Sequence, residues 1–196
     1  MKRFRVSVLA GILAASTLVL PTAARCQSAK METAADHLAT VKVGHWIQLE
    51  ATVQQDSSAR CTEIRLLTGD FLDDDWSLRG ILQAIAPGRR EFTIGGIRVQ
   101  VTETTIFESP KRTLRGFSDL RLGMLVEVEG TYSKDLRILA AEVDDESDEI
   151  ARRPWSKDQI RIVGKVERVD ARKRLLSAMG REFRVSDKTR LRSVIR

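Results

Sequence analysis

The chain has 196 residues and a formal net charge of +6, and that charge is unevenly spread. Residues 31–150 carry 13 basic and 22 acidic side chains, a net charge of −9, whereas residues 151–196 carry 15 basic and 5 acidic side chains, a net charge of +10. After the first twenty residues no stretch is apolar enough for a membrane-spanning helix, which needs about 20 apolar residues, so the composition excludes a protein of several transmembrane helices.

The first residues have the pattern of a secretory signal peptide. Residues 2–5 include three basic side chains, residues 6–20 form an apolar run, and small residues follow at 22–24. We predict that residues 1–24 are removed on export and that residues 25–40 form a linker. The protein is then expected in the periplasm, at the cell envelope or secreted, with no attachment to a membrane other than its signal peptide.

Two cysteines, Cys26 and Cys61, follow the predicted cleavage site. Because export places them in an oxidising compartment, a Cys26–Cys61 disulfide is predicted. Three alternatives stay open: lipidation of Cys26, which the preceding Arg25 disfavours, cleavage after Cys26, and a free thiol in a frayed tail.

Two stretches of the sequence occur twice. Residues 41–53 match residues 120–132 at an offset of 79, and residues 80–109 match residues 164–193 at an offset of 84. The matched pairs are Gly44/Gly123, Glu50/Glu129, Thr52/Thr131, Gly80/Gly164, Arg90/Arg174, Gly96/Gly180, Val101/Val185, Thr105/Thr189 and Ser109/Ser193. Repetition of this kind predicts a tandem array of one small β-rich unit.

The first half-unit spans residues 41–68. Apolar and polar residues alternate over 46–53, which is typical of a strand with one buried face, and residues 61–67 are a plausible antiparallel partner. These two strands correspond to the last two of a unit. The acidic residues 73–75 that follow lack the alternating ligands and the closing Glu of a calcium loop, so a solvated connection is predicted there.

Residues 77–144 hold one complete unit. Alternation and turn residues predict five strands with one helical turn between the third and the fourth. The predicted strands span 78–86, 91–94, 97–101, 124–132 and 137–143, the helical turn spans 117–120, and the rest of 104–117 is irregular. Gly95 and Gly96 suit a tight hairpin with positive φ. This order of elements predicts a small OB-like β-barrel.

The last half-unit, residues 159–196, holds only the first three strands of a unit. Residues 145–158 before it are predicted to be a hydrated linker that changes from acidic to basic. Because residues 41–68 lack three strands and residues 159–196 lack two, we predict that the halves combine into a second barrel. The alternative is a fragment whose missing strands follow Arg196. The predicted fold class is all-β, with tandem small OB-like five-stranded β-barrels after an N-terminal signal peptide.

Four short motifs carry a resemblance to a known family. They are Gly80-x-Leu82, Phe92-x-Ile94-x-Gly96, Val101-x-x-x-Thr105-x-Phe107 and Leu122-Gly123-x-x-Val126-x-Val128-Glu129-Gly130. The chain resembles, over residues 77–144, an uncharacterised family of exported bacterial domains of unknown function with tandem OB-like barrels. The resemblance implies an envelope location and a non-enzymatic accessory role, with no catalytic residues to transfer. Similar repeats resemble the N-terminal periplasmic part of some outer-membrane β-barrel proteins, which is the alternative function.

Motifs for catalysis or metal binding are missing from the sequence. It has no nucleophile elbow, Cys–His pair, paired-cysteine metal motif or phosphate-binding glycine loop. His37 and His45 are expected at the surface or the edge of the core, and Glu127 and Glu129 on the outside of a strand. We therefore predict no enzyme activity, no cofactor and no metal.

The basic C-terminal end predicts the partner. A basic segment in an exported protein can bind an acidic glycan, lipopolysaccharide or another anionic surface. Nucleic acid is not expected, because single strands need aromatic residues among the cations and this end has only Trp155 and Phe183. The candidate anion-binding residues are Arg161, Lys165, Arg172, Lys173, Arg174 and Arg184. The alternatives are a solvated surface, or a face that docks the acidic segments or another envelope protein. The oligomeric state is not predicted.

Overall fold

The structure, a computed structural model, describes residues 33–195 except residues 73 and 112. The predicted signal peptide, Cys26 and the first half of the predicted linker 25–40 lie outside the described residues. Within the described part, no helix is long and apolar enough to cross a membrane. The described chain is predominantly β, as its alternating pattern predicts.

The described residues form eleven strands and two short helices. The elements are α1 (Ala34–Thr40), β1 (Trp46–Val53), β2 (Ala59–Thr68), β3 (Trp76–Ala86), β4 (Glu91–Ile94), β5 (Ile97–Glu108), β6 (Leu125–Ser133), β7 (Arg137–Asp145), α2 (Asp148–Arg152), β8 (Gln159–Asp170), β9 (Leu175–Ala178), β10 (Arg181–Arg184) and β11 (Arg190–Ile195). Turns of 3₁₀ helix lie at Pro87–Arg89, Phe117–Asp119 and Pro154–Asp158.

Five strands of the middle of the chain close into what we call the central ring. Strand β3 pairs with β4, β4 with β5, β5 with β7, β7 with β6, and β6 again with β3; only the β5–β7 pair of these is parallel. Inward-facing apolar side chains fill it, among them Leu78, Leu82, Phe92, Ile94, Val99, Val126, Val128 and Ile138. The predicted five-stranded ring is thus present, and Gly95 and Gly96 have the predicted positive φ, 55° and 81°.

One prediction about this ring is wrong. Residues 104–108, predicted as irregular, belong to β5, which runs to Glu108. The strand bulges between Val101 and Ile106 and then resumes its pairing with β7. Thr105 Oγ1 lies at the bulge and donates to the carbonyl of Ala140 at 2.7 Å, which holds the interrupted strand to its neighbour.

Strands from the two ends of the described chain close into the terminal ring. Strand β8 pairs with β9, β9 with β10, and β2 runs parallel to both β10 and β11. Strand β1 then pairs with β2 on one side and with β8 on the other. Residues of the two predicted half-units therefore pair directly with each other. The interior again is apolar, with Ile47, Leu49, Ile64, Ile160, Ile162, Leu176 and Phe183 fully buried.

Hydrogen bonds recur in the two rings at the offsets of the sequence repeat. The amide of Gly44 donates to Val166 at 2.8 Å, and that of Gly123 donates to Leu82 at 2.9 Å. Positive φ recurs in the same way, at the pairs Gly44/Gly123, Ser57/Leu136, Arg90/Arg174, Gly95/Met179 and Gly96/Gly180. The repeated glycines are therefore turn positions that both rings need.

The rings are joined along a seam between β3 and β8. These strands are antiparallel, with Leu78 opposite Ile162. Leu78 and Ile162 occupy equivalent positions of the repeat, at the offset of 84. Because equivalent residues pair here in antiparallel strands, a local two-fold axis passes through this pair. Gly164 allows the close approach at the seam, since a Cβ there would lie 2.5 Å from the ring of Trp76, and a Cβ on the equivalent Gly80 would lie 2.8 Å from Cγ2 of Ile94 within the central ring.

The segment 145–158, predicted to be a hydrated linker, is mostly exposed, and it also contains short helical elements. It forms α2 and a 3₁₀ turn, and Glu146 and Glu149 both bind Arg79, which is only 7% exposed. A buried arginine needs carboxylate partners, and the acidic run supplies them. At the other end, α1 packs on the core through buried Ala34 and Leu38.

Candidate functional site

The structure divides the six candidate anion-binding residues into two groups. Arg161 and Lys165 lie on the outer face of β8, close to the seam. Arg161 Nη2 is 3.3 Å from Glu127 Oε2, and Lys165 Nζ lies 5.2 Å from the centre of the Trp46 ring. Both cations thus have partners within the protein, and neither adds to an open basic surface.

The other four candidates lie together at one end of the terminal ring. Arg172, Lys173 and Arg174 form the turn between β8 and β9, and the amide of Val185, next to Arg184, donates to the carbonyl of Arg174 at 2.9 Å. Arg174 Nη1 lies 3.6 Å from the carboxylate of Asp187, so part of its charge is neutralised.

Arg184 lines an open cleft of about 770 Å³, which we call the terminal cleft. The turn between β1 and β2 forms one wall of it. The polar lining residues are Thr52, Gln54, Gln55, Asp56, Ser58, Arg60, Asp158 and Arg184. Hydrogen bonds from the side chain and the backbone N–H of Ser58 hold the pKa of the exposed Asp56 carboxyl below its ordinary value. The cleft therefore combines two guanidinium groups with two carboxylates.

Two arginines stand side by side in this cleft. Arg60 on β2 and Arg184 on β10 are register partners across the parallel pair of strands, and both are exposed. Like charges on directly neighbouring positions of a sheet destabilise it. The Asp56 carboxylate interacts electrostatically with Arg184, and a bound anion would offset the repulsion further, because a guanidinium group presents several N–H donors to carboxylate or phosphate oxygens.

The central ring shows that the fold does not require this pair. At the repeat offsets Arg60 is equivalent to Leu139, and Arg184 is equivalent to Gln100. The same strands close in the central ring with these neutral side chains. The two arginines are therefore a property of the terminal ring alone.

Further along β2, three more arginines surround a buried glutamate. Glu63 is 2% exposed; Arg65 binds its Oε1, Arg190 Nη2 lies 2.7 Å from its Oε2, and Arg192 Nε lies 3.9 Å from its Oε1. Burial would raise the pKa of Glu63, but the hydrogen bond from Arg65 and the charges of all three arginines hold it below its ordinary value. We call Arg65, Arg190 and Arg192 the arginine strip.

The equivalent surface of the central ring is acidic. Carboxylate oxygens of Glu108, Glu142 and Asp144 lie within 4.8 Å of one another, close enough to hold a cation. Burial and the neighbouring carboxylates raise the pKa of Asp144 to about 6. We call these three residues, with the exposed Ile106 opposite Glu142, the acidic face.

The two carboxylates on β6, Glu127 and Glu129, lie on the outer face of the strand, as predicted. Glu127 also accepts a hydrogen bond from Ser77 Oγ at 3.0 Å and contacts Arg161 and Arg79 at the seam. This network joins the two rings. The Nδ1 atom of His45 accepts a hydrogen bond from the amide of Lys42 at 3.3 Å, so this histidine stabilises a turn.

Cys61 lies inside the terminal ring. It is 2% exposed, its Sγ lies 3.4 Å from the carbonyl of Glu63, and burial raises the pKa of its thiol to about 12. A disulfide to Cys26, which lies outside the described residues, would require that segment to reach the ring interior. The disulfide stays a prediction.

Sequence reasoning missed Arg60 and the whole arginine strip. These residues can be found by comparing the two repeats. Positions that match are those that the fold requires, so positions that differ are candidates for function. At the repeat offsets, Leu139, Asp144, Ile106 and Glu108 of the central ring become Arg60, Arg65, Arg190 and Arg192 of the terminal ring.

Comparison with known proteins supports an uncharacterised domain in the middle of the chain. The model of a family described as "Domain of unknown function (DUF5666)" matches residues 79–144, which run from within β3 to the last residues of β7. The match covers nearly all of the central ring and agrees with the resemblance to an uncharacterised domain predicted over residues 77–144. No curated protein and no solved structure matches the chain.

Proposed function

We propose that the chain is an exported, non-enzymatic module of two OB-type barrels, and that its terminal ring binds an anionic polymer of the cell envelope. The order β3-β4-β5-β7-β6, with a parallel β5–β7 pair and a helical turn before β6, supports the OB-type barrel for the central ring. The order β8-β9-β10-β2-β1 supports it for the terminal ring.

The position of the terminal cleft agrees with this function. In OB barrels the ligand lies on the second and third strands, between the loop that joins strands one and two and the loop that joins strands four and five. In the terminal ring those loops are residues 171–174 and 54–58. The first carries three basic residues, and the second lines the terminal cleft.

The single observation that carries the proposal is the Arg60–Arg184 pair. The two exposed arginines are register partners on neighbouring strands, and the central ring closes with Leu and Gln at the equivalent positions. Acidic glycans and the phosphates of lipopolysaccharide both offer oxygens with which such a pair forms charge-assisted hydrogen bonds.

The test exchanges these arginines for the residues of the central ring, as Arg60→Leu with Arg184→Gln. A hydrogen bond to a charged group contributes about 1.5 kcal/mol, or about tenfold in affinity, so losing one at each arginine weakens binding about 100-fold. Affinity for polygalacturonate and for lipopolysaccharide is measured by calorimetry across a salt series. The matched control, Arg89→Gln with Arg121→Gln, removes the same charge from the central ring.

We expect the control to bind as the unchanged protein does, with affinity falling as salt rises. Equal binding by the cleft variant, binding insensitive to salt, or no binding of either polymer would contradict the proposal. The alternative role, as an extension of a larger outer-membrane protein, is tested by reading the coding sequence beyond Arg196.

A further inference from the structure

The arginine strip has more charge than its own chain neutralises. Glu63 is the carboxylate on which Arg65, Arg190 and Arg192 converge, and among the described residues none of the three arginines contacts a second one. The side chains of Arg190 and Arg192 stay 62% and 57% exposed. Each guanidinium group has five N–H donors, so most of the donors of the strip face solvent.

The acidic face has the opposite excess at the equivalent place. Three carboxylates, those of Glu108, Glu142 and Asp144, lie close together, and no described cation forms an ion pair with any of them. Ile106, the register partner of Glu142, is 56% exposed. The face thus combines negative charge with apolar surface, as a docking surface does.

We propose that the chain assembles head to tail, the arginine strip of one copy docking on the acidic face of the next. The strip carries three positive charges around Glu63, with Glu50 within electrostatic reach of Arg65, and the acidic face carries three negative charges. Within one chain the two surfaces belong to different rings, and no ion pair joins them. The charge complementarity is therefore satisfied between copies.

The repeat accounts for the fit between the two surfaces. Both are the outer face of the same pair of strands, β2 with β11 in the terminal ring and β7 with β5 in the central ring. Strand direction and spacing are therefore alike, and the charge is opposite at two equivalent positions, Arg65/Asp144 and Arg192/Glu108. Because each copy carries one basic and one acidic version, the contact is heterologous and leaves one surface of each kind unused, so assembly continues as an open chain.

This inference uses residues other than those of the proposed anion site. An experiment can therefore contradict the assembly proposal without contradicting the anion-binding proposal, and the reverse. Sedimentation velocity of the purified chain over a range of concentrations, at about 25 mM and about 500 mM NaCl with EDTA present, measures the assembly. At low salt the mean sedimentation coefficient is expected to rise with concentration, and at high salt it is expected to stay at the monomer value.

Two exchange variants test the faces. Arg190→Ile with Arg192→Glu gives two positions of the strip the residues of the central ring, and Glu108→Arg with Asp144→Arg gives two positions of the acidic face those of the terminal ring. Each ring already folds with the introduced residues at the equivalent positions. Each variant alone is expected to need at least about tenfold more protein to assemble. Mixed in equal amounts, they are expected to assemble again, because one has two acidic faces and the other two basic ones.

The Arg60→Leu, Arg184→Gln variant serves as the control and is expected to assemble normally. Circular dichroism and thermal melting verify that every variant is folded. A chain that stays monomeric at low salt, single variants that assemble as the unchanged protein does, a mixture that stays monomeric, or assembly that needs added calcium would overturn the proposal.

Discussion

Replacing Gly164 with alanine tests the seam between the rings. The new Cβ would lie 2.5 Å from Cε3 and 2.6 Å from Cζ3 of Trp76, whereas carbon atoms in contact are about 3.5–4.0 Å apart. The Trp76 ring must therefore move by about 1 Å. It has little room, because the Trp46 and Tyr132 ring centres lie 5.1 Å and 4.9 Å away.

The expected loss of stability follows from two opposing terms. Overpacking of a core costs about 1–3 kcal/mol, and the smaller entropy of the unfolded alanine chain offsets about 0.4–1 kcal/mol of this. We expect Gly164→Ala to lower the free energy of unfolding by about 1–2 kcal/mol, which lowers the Tm by about 3–6 °C for a chain of this size.

Urea and thermal unfolding followed by circular dichroism measure this effect. Gly116→Ala is the control, because Gly116 has an extended φ of −179° and its Cβ would meet no atom within 4 Å. The control is expected to match or slightly exceed the stability of the unchanged protein. Equal stability of the Gly164 variant and the control would refute the close approach of Trp76 to β8.

Three further predictions follow from the same structure. Thr189→Val and Thr105→Val remove equivalent hydroxyls that bridge two backbone groups at 2.7–3.0 Å. Each substitution should lower the free energy of unfolding, measured by urea titration, by about 1–3 kcal/mol. A loss of stability in one ring alone would contradict the equivalence of the two threonines. Because Cys61 is buried, it should react with a thiol reagent only after the protein is unfolded. If the unfolded chain reacts only after it has been reduced, Cys61 forms a disulfide with Cys26. The raised pKa of Asp144 gives stability that is full below its unfolded pKa near 3.8 and is lost as pH rises through about 6. Asp144→Asn should therefore stabilise the protein by about 1 kcal/mol at pH 8, after allowance for solvent screening, and by nothing near pH 3; an equal gain at both pH values would contradict the assignment.

The strands and their closure were predictable because the constraints on them are local. Alternation placed the strands, and matched glycines such as Gly44 and Gly123 marked turns that need positive φ. The length of β5 was not predictable, because residues 104–108 break the alternation at a bulge that only the pairing with β7 resolves. The contacts of Glu146 and Glu149 were not predictable either, because their partner Arg79 lies 67 and 70 positions away.

The candidate site was predictable only in part. The basic turn at residues 172–174 and Arg184 are evident from the charge of the C-terminal end. Arg60 was missed because it lies in a segment with an acidic surplus, and it meets Arg184 only through the parallel pairing of β2 with β10. The distribution of basic residues in the sequence does not show which arginines are available to a ligand. Arg161, for example, was a candidate, but it binds Glu127 at the seam.

A nuclear magnetic resonance titration tests the central claim most directly. Amide shifts of the labelled chain are followed while polygalacturonate is added at low salt. The account predicts changes at Arg60, at Arg184 and in the turn 171–174, all reversed by salt, while Leu139 and Gln100 stay unchanged. Changes centred on Leu139 and Gln100, or no changes in the terminal cleft, would contradict it.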